Sequence, residues 1–168
     1  MIPIIVMIVS FLFDGILTNF LPYLVNDLTY FTPMFTVTCI FLIYPFYRKQ
    51  EKKYYLILFG LGFLYDLFYT NLLFFNGSLF VILGFTSYYF HKNFGFGYIK
   101  NIIFIIILIS LYEVLSVLFL MIYRMVPITY MDVLYKISHS LILNIIYGNV
   151  IYFIIKIIPK KYKKISIN

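Results

Sequence analysis

The chain has 168 residues, of which 64% are hydrophobic and 11% charged, with a mean hydropathy of +1.00 and a formal net charge of +7. A soluble domain carries about a quarter charged residues, so this composition excludes an ordinary water-soluble globule. Nor does the positive charge point to nucleic acid, because the basic residues sit on short segments between apolar runs, where membrane topology accounts for them.

Apolar runs that are free or nearly free of charge lie at 2–24, 28–47, 54–90, 102–123 and 137–155. Runs of about 18 or more such residues read as transmembrane helices. Strict period-two alternation is absent, which argues against a lipid-facing β-barrel. The first run has no basic leader and no small-residue cleavage site, so it reads as a retained helix. The second holds Cys39, the single cysteine, which excludes an intrachain disulfide and a paired-cysteine metal site. Alanine and tryptophan are both missing, while Ile, Phe, Tyr, Lys and Asn abound, the pattern of an AT-rich bacterial coding bias.

Basic residues cluster at 48–53 (RKQEKK), 91–100 (HKNFGFGYIK) and 156–164 (KIIPKKYKK), which together hold 11 of the 13 Lys and Arg. Positive flanks mark the cytoplasmic side, so all three clusters belong inside. An even number of crossings must join successive inside segments. Two helices are therefore expected between 54 and 90, although no charge divides them. The expected fold is a single all-α transmembrane domain over 1–168, a compact bundle of six helices with both termini cytoplasmic. The expected spans are 2–24, 28–47, 54–70, 72–91, 102–123 and 133–157. The outer turn between the third and fourth falls at Thr70-Asn71 or at Asn76-Gly77-Ser78. The earlier position is favoured because the later one leaves the fourth helix too short for a core about 30 Å thick. The outer loops are brief, at 25–29 and at 124–132, where Pro127 punctuates.

Three acids fall near the middle of these helices: Asp14, Asp66 and Glu113. A central Asp costs about 2.5–3.5 kcal/mol on an insertion scale, so each is expected to face protein or water and not lipid tails. Ser10, Asp14 and Thr18 share one face of the first helix, and Gly62, Asp66 and Thr70 one face of the third. Ser110, Glu113 and Ser116 gather on the fifth, and Ser140, Asn144 and Gly148 repeat on the sixth. These stripes are expected to converge inside the bundle. Burial disfavours the ionised form of a carboxyl, so at least some of these acids are expected to be neutral and hydrogen-bonded, with Asn144, His139 and tyrosine hydroxyls such as Tyr65 and Tyr147 as candidate partners. Gly60 and Gly62 are expected to thin the third helix beside Asp66.

His91 reads as an interfacial residue and His139 as a structural one, since no second His or Cys stands at ligand spacing. No metal site and no cofactor are implied. Tyrosines at the helix ends fit an interfacial belt, and the KKYKK tail at 160–164 sets topology or grips anionic lipid. An intramembrane protease built on Asp14 and Asp66 is the one catalytic arrangement to weigh. The accompanying motifs of lipoprotein signal peptidases and presenilin-like enzymes are missing, so no enzymatic role is expected.

The stretch from Gly60 through Gly62-Phe63-Leu64-Tyr65-Asp66-Leu67, within a small basic six-helix chain, resembles MreD, the rod-shape-determining membrane protein. That family carries a Gly-x-x-x-Asp signature on a middle helix, commonly followed by a glycine-containing turn. Here Phe68-Tyr69-Thr70-Asn71 follows instead, and Gly77 comes later. Tyr112-Glu113 and Leu143-Asn144 match family positions more loosely. The resemblance implies a non-enzymatic scaffold in the cytoplasmic membrane that docks the transmembrane helix of MreC. Through it the chain would act with MreB, RodA and a penicillin-binding transpeptidase in peptidoglycan synthesis and cell shape. Gly62, Asp66, Glu113, Asn144 and Asp14 are then the partner-binding or core-organising residues. The family is also similar in fold to the substrate-binding subunits of energy-coupling-factor vitamin transporters, which supplies the alternative function.

Overall fold

The computed structural model describes residues 2–24, 33–70, 72–122 and 130–157. The loops expected at 25–29 and, for the most part, at 124–132 lie outside these residues, as does the basic tail after Ile157. The described residues form six α-helices: α1 (Ile2–Leu24), α2 (Phe35–Tyr47), α3 (Glu51–Tyr65), α4 (Phe75–Phe94), α5 (Tyr98–Ile122) and α6 (Tyr130–Ile157). A five-residue π-helical turn, Asp66–Thr70, extends α3. No strand occurs among the described residues.

The first helix matches its expected bounds. The chain reverses between Thr70 and Phe75, close to the earlier of the two expected turns. Asn76 and Gly77 therefore belong to the first turn of α4 and not to a loop. Phe74 takes the left-handed conformation there (φ 66°), in the place a glycine usually fills.

The second helix departs from the expected 28–47. Residues 33–34 are not helical, and α2 has 13 residues, about 20 Å at a rise of about 1.5 Å per residue. It is too short to cross a hydrocarbon core of about 30 Å alone. The expected residues 28–32 lie outside the described ones.

This short helix is the centre of the molecule. Eleven of its 13 residues are buried, and it packs against each of the other five helices. Around it, α3 pairs with α4, α4 with α5, and α5 with α6. The ring closes over α1: Tyr69 of the π turn donates its hydroxyl to the Phe11 carbonyl at 3.0 Å, and Ser10 meets the Tyr147 hydroxyl at 2.7 Å. A helix surrounded on all sides has no polar face to show, which is why α2 reads as an unbroken apolar run.

The outer perimeter is apolar. On α1 the exposed apolar positions are Ile4, Ile5, Ile8, Val9, Leu12, Phe13 and Ile16, and the other helices turn Phe, Leu and Ile outward in the same way. Two helices, Tyr98–Ile122 and Met131–Ile157, are long and apolar enough to cross a membrane. Pro3–Thr18 and Phe35–Tyr47 are shorter apolar helices.

Candidate functional site

An α-helix begins with four backbone N–H groups that have no partner inside the helix. At α2 these groups are buried, where each unsatisfied donor costs about 1–3 kcal/mol or more. Side chains from two other helices meet them. Asn144 of α6 accepts from the Met34 N–H at 2.8 Å. Asp14 of α1 spans the next two, with Oδ1 2.6 Å from the Phe35 nitrogen and Oδ2 2.9 Å from that of Thr36. Three of the four orphan donors are thereby satisfied. The acid also sits at the positive end of the helix dipole, which favours negative charge.

The same device recurs at α4. Asp66 Oδ1 accepts from the Asn76 N–H at 2.9 Å, and Oδ2 from the Gly77 N–H at 3.3 Å. Oδ1 also receives the Asn76 side-chain amide at 2.9 Å and the Thr70 hydroxyl at 3.0 Å. The amide oxygen of Asn76 in turn accepts from the Tyr112 hydroxyl at 2.9 Å, which ties α5 to the joint.

Gly62 acts on the same dipeptide from one helical turn earlier. A Cβ placed there would lie 2.5 Å from the Asn76 carbonyl oxygen and 2.6 Å from Gly77 Cα. The missing side chain lets the two backbones touch, while the carboxylate four residues on holds their N–H groups. The Gly-x-x-x-Asp spacing thus has a direct physical use: both residues face the start of α4.

These contacts correct two expectations. Backbone N–H groups hold Asp14 and Asp66, together with Thr70 and Asn76 for the latter, in place of the expected Tyr65 and Tyr147 hydroxyls; the expected Asn144 instead serves the same helix start as Asp14 by accepting from the Met34 N–H. Every such contact is donated to the acid, the pattern that suits an acceptor-only carboxylate. Gly60, by contrast, faces open space, and a methyl group there would meet nothing within 4 Å. Of the two glycines, only Gly62 brings helices together.

The polar stripes do turn inward. Ser10, Asp14, Asp66, Glu113, Ser140 and Asn144 are all buried, although Thr18 is exposed. They form two joints and not one cluster, with Tyr112 within electrostatic reach of all three acids. Glu113 differs from the other two. It is 5% exposed, and its carboxyl makes no hydrogen bond among the described residues. Lys136 of α6 is the cation within its electrostatic reach.

His139 rests on Tyr135, with ring centroids 3.8 Å apart and Nδ1 2.6 Å from that residue's carbonyl. His91 stacks on Phe41, Tyr44 and Phe96, with Nε2 3.1 Å from the Phe41 carbonyl. No group of three or more His, Cys, Asp or Glu able to hold a metal ion occurs among the described residues. Sequence reasoning missed Asn76 as a site residue. Its signal was its place ten residues after Asp66, next to Gly77.

The chain matches no known family profile, no curated protein and no solved structure.

Proposed function

We propose that the chain is a multi-pass protein of the bacterial cytoplasmic membrane and acts as a non-enzymatic scaffold of the MreD kind, docking a single-pass partner similar to MreC. The observation that carries this reading is the joint at α4, where the Gly62 and Asp66 signature locks two helices together through Asn76 and Gly77. The apolar perimeter supports immersion in lipid, since soluble monomers rarely expose contiguous apolar surface on such a scale. In a plan of six crossings, the short α2 starts inside the bilayer.

Commitment of Asp14 and Asp66 to backbone donors favours a structural role over a catalytic dyad or a proton relay. Their cost is offset locally. Without them, two pairs of N–H groups would be left unsatisfied in a region that offers no water, at several kcal/mol each. Glu113 is the acid left for another chain. In this reading it receives a hydrogen-bond donor from the partner's helix, so the bundle presents a stiff surface and one polar anchor.

A photocrosslinking residue at position 113, in cells that express the MreC-like partner, tests this. Capture of that partner's transmembrane segment is expected, with no capture from a position on the exposed face of α1 such as Ile8. Tight binding of thiamin, riboflavin or biotin by the purified protein, with no partner captured, would replace the scaffold by a transporter subunit.

A further inference from the structure

A cavity of about 420 Å³ opens at the end of the molecule that carries the basic residues, far along α2 and α4 from the acid-capped helix starts. Its walls come from the end of α2 (Tyr44), the segment leading to α3 (Arg48, Glu51), the last turns of α4 (Tyr88, Lys92) and Phe96 beyond it. The volume is in the range of small-molecule sites, about 300–1,000 Å³.

The lining is divided by chemistry. Aromatic rings make one wall: Tyr44 is buried, Phe96 is exposed at its rim and packs on Tyr152 at 4.9 Å between centroids, and His91 stacks on Phe41, Tyr44 and Phe96. Charge sits at the mouth, where Arg48, Lys92 and Glu51 are exposed. The Lys92 ammonium is held 5.7 Å above the Tyr88 ring and 3.5 Å from its hydroxyl. Two cations against one carboxylate leave the mouth net positive. A guanidinium and an ammonium converging on one opening suit a phosphate, which Arg meets with paired N–H donors and Lys with a point charge.

We propose that this cavity binds a phosphate ester with an apolar or polyol portion, the phosphate between Arg48 and Lys92 and the remainder against Tyr44, Tyr88 and Phe96. The inference goes beyond the scaffold reading and does not depend on any protein partner. If the helices cross the membrane as proposed, the mouth lies at headgroup depth on the basic side, where anionic phospholipid is the nearest source of this chemistry. A soluble glycerol phosphate has the same head without the tail.

The test uses the purified full chain in nanodiscs of zwitterionic phosphatidylcholine, titrated with phosphatidylglycerol and read by native mass spectrometry of retained lipid. A parallel arm adds soluble glycerol 3-phosphate and reads thermal stabilisation. Arg48→Gln and Lys92→Gln are each expected to weaken retention about three- to tenfold, the scale of losing one ordinary hydrogen bond. Glu51→Gln is expected to strengthen it, and Lys53→Gln, a cation nearby but outside the cavity, to leave it unchanged. Stabilisation by glycerol 3-phosphate that depends on Arg48, without selective retention of phosphatidylglycerol, assigns the site to a soluble ester and also supports the proposal. Equal weakening by Lys53→Gln and Arg48→Gln overturns it, because the attraction would then be diffuse. Indifference of both arms to Arg48 and Lys92, in variants that unfold at the wild-type temperature, overturns it as well.

Discussion

Gly62 and Asp66 hold the same two residues of the next helix: the glycine lies against the backbone of Asn76 and Gly77, and the carboxylate accepts both of their N–H groups. Contact and hydrogen bonding are inseparable at this joint. A side chain at position 62 would push Asn76 away from the acid that satisfies it.

Gly62→Ala is therefore expected to destabilise the purified protein by about 1–3 kcal/mol, the usual cost of overpacking against a backbone that cannot move aside. Gly60→Ala is the matched control. It points into open space, and replacing a mid-helix glycine there should stabilise by about 0.5–1 kcal/mol. Unfolding in a graded denaturing detergent separates the two. Similar effects from both substitutions would mean that the close approach at Gly62 does not matter.

Asp66→Leu removes the acceptor of two buried backbone donors, the Asn76 side-chain amide and the Thr70 hydroxyl, and should cost several kcal/mol, whereas Asp66→Asn retains one acceptor oxygen and should fall between it and wild type. The ordering is the diagnostic feature. A relay or lipid-facing acid would instead gain stability from leucine, because an expensive group would be replaced by an apolar one.

Asp14 and Asn144 reach α2 from different helices yet serve the same turn. Their alanine substitutions should couple: once α2 has frayed at its start, losing the second cap costs less. A double-mutant cycle is expected to show a non-additive energy of about 0.5–3 kcal/mol. Strict additivity would show that the two caps act on independent structures.

Much of this was legible in the residue order. Charge clusters at 48–53, 91–100 and 156–164 forced an even number of helices between them, and six helices are present. Asp14, Asp66 and Asn144 were marked by being polar in apolar runs, and burial bears out their inward placement. The start of α2 at Phe35 was not legible, because the apolar residues on either side of that boundary have the same composition. Nor were the acids' partners. Backbone N–H groups carry no sequence signal, so the side chains alone drew attention to His139 and the tyrosines. Gly60 and Gly62 look equivalent as letters, but residues two apart point to different faces of a helix, and only one meets a neighbour.

Glu113 separates stability from function. A buried carboxyl with no hydrogen bond among the described residues is a cost to the isolated bundle, so Glu113→Met should leave stability unchanged or raise it. On the proposed scaffold reading, the same substitution in cells should weaken capture of an MreC-like partner and disturb rod shape. A variant that is less stable than wild type would show that the acid has an internal role.

The central claim is that acids buried inside the bundle hold the starts of buried helices. Amide hydrogen exchange at Phe35, Thr36, Asn76 and Gly77 reads this directly, in wild type and in Asp14→Leu and Asp66→Leu. The account predicts slow exchange at all four in wild type, faster exchange at Phe35 and Thr36 alone when Asp14 is lost, and faster exchange at Asn76 and Gly77 alone when Asp66 is lost. Unchanged protection at those amides in the two variants would contradict it.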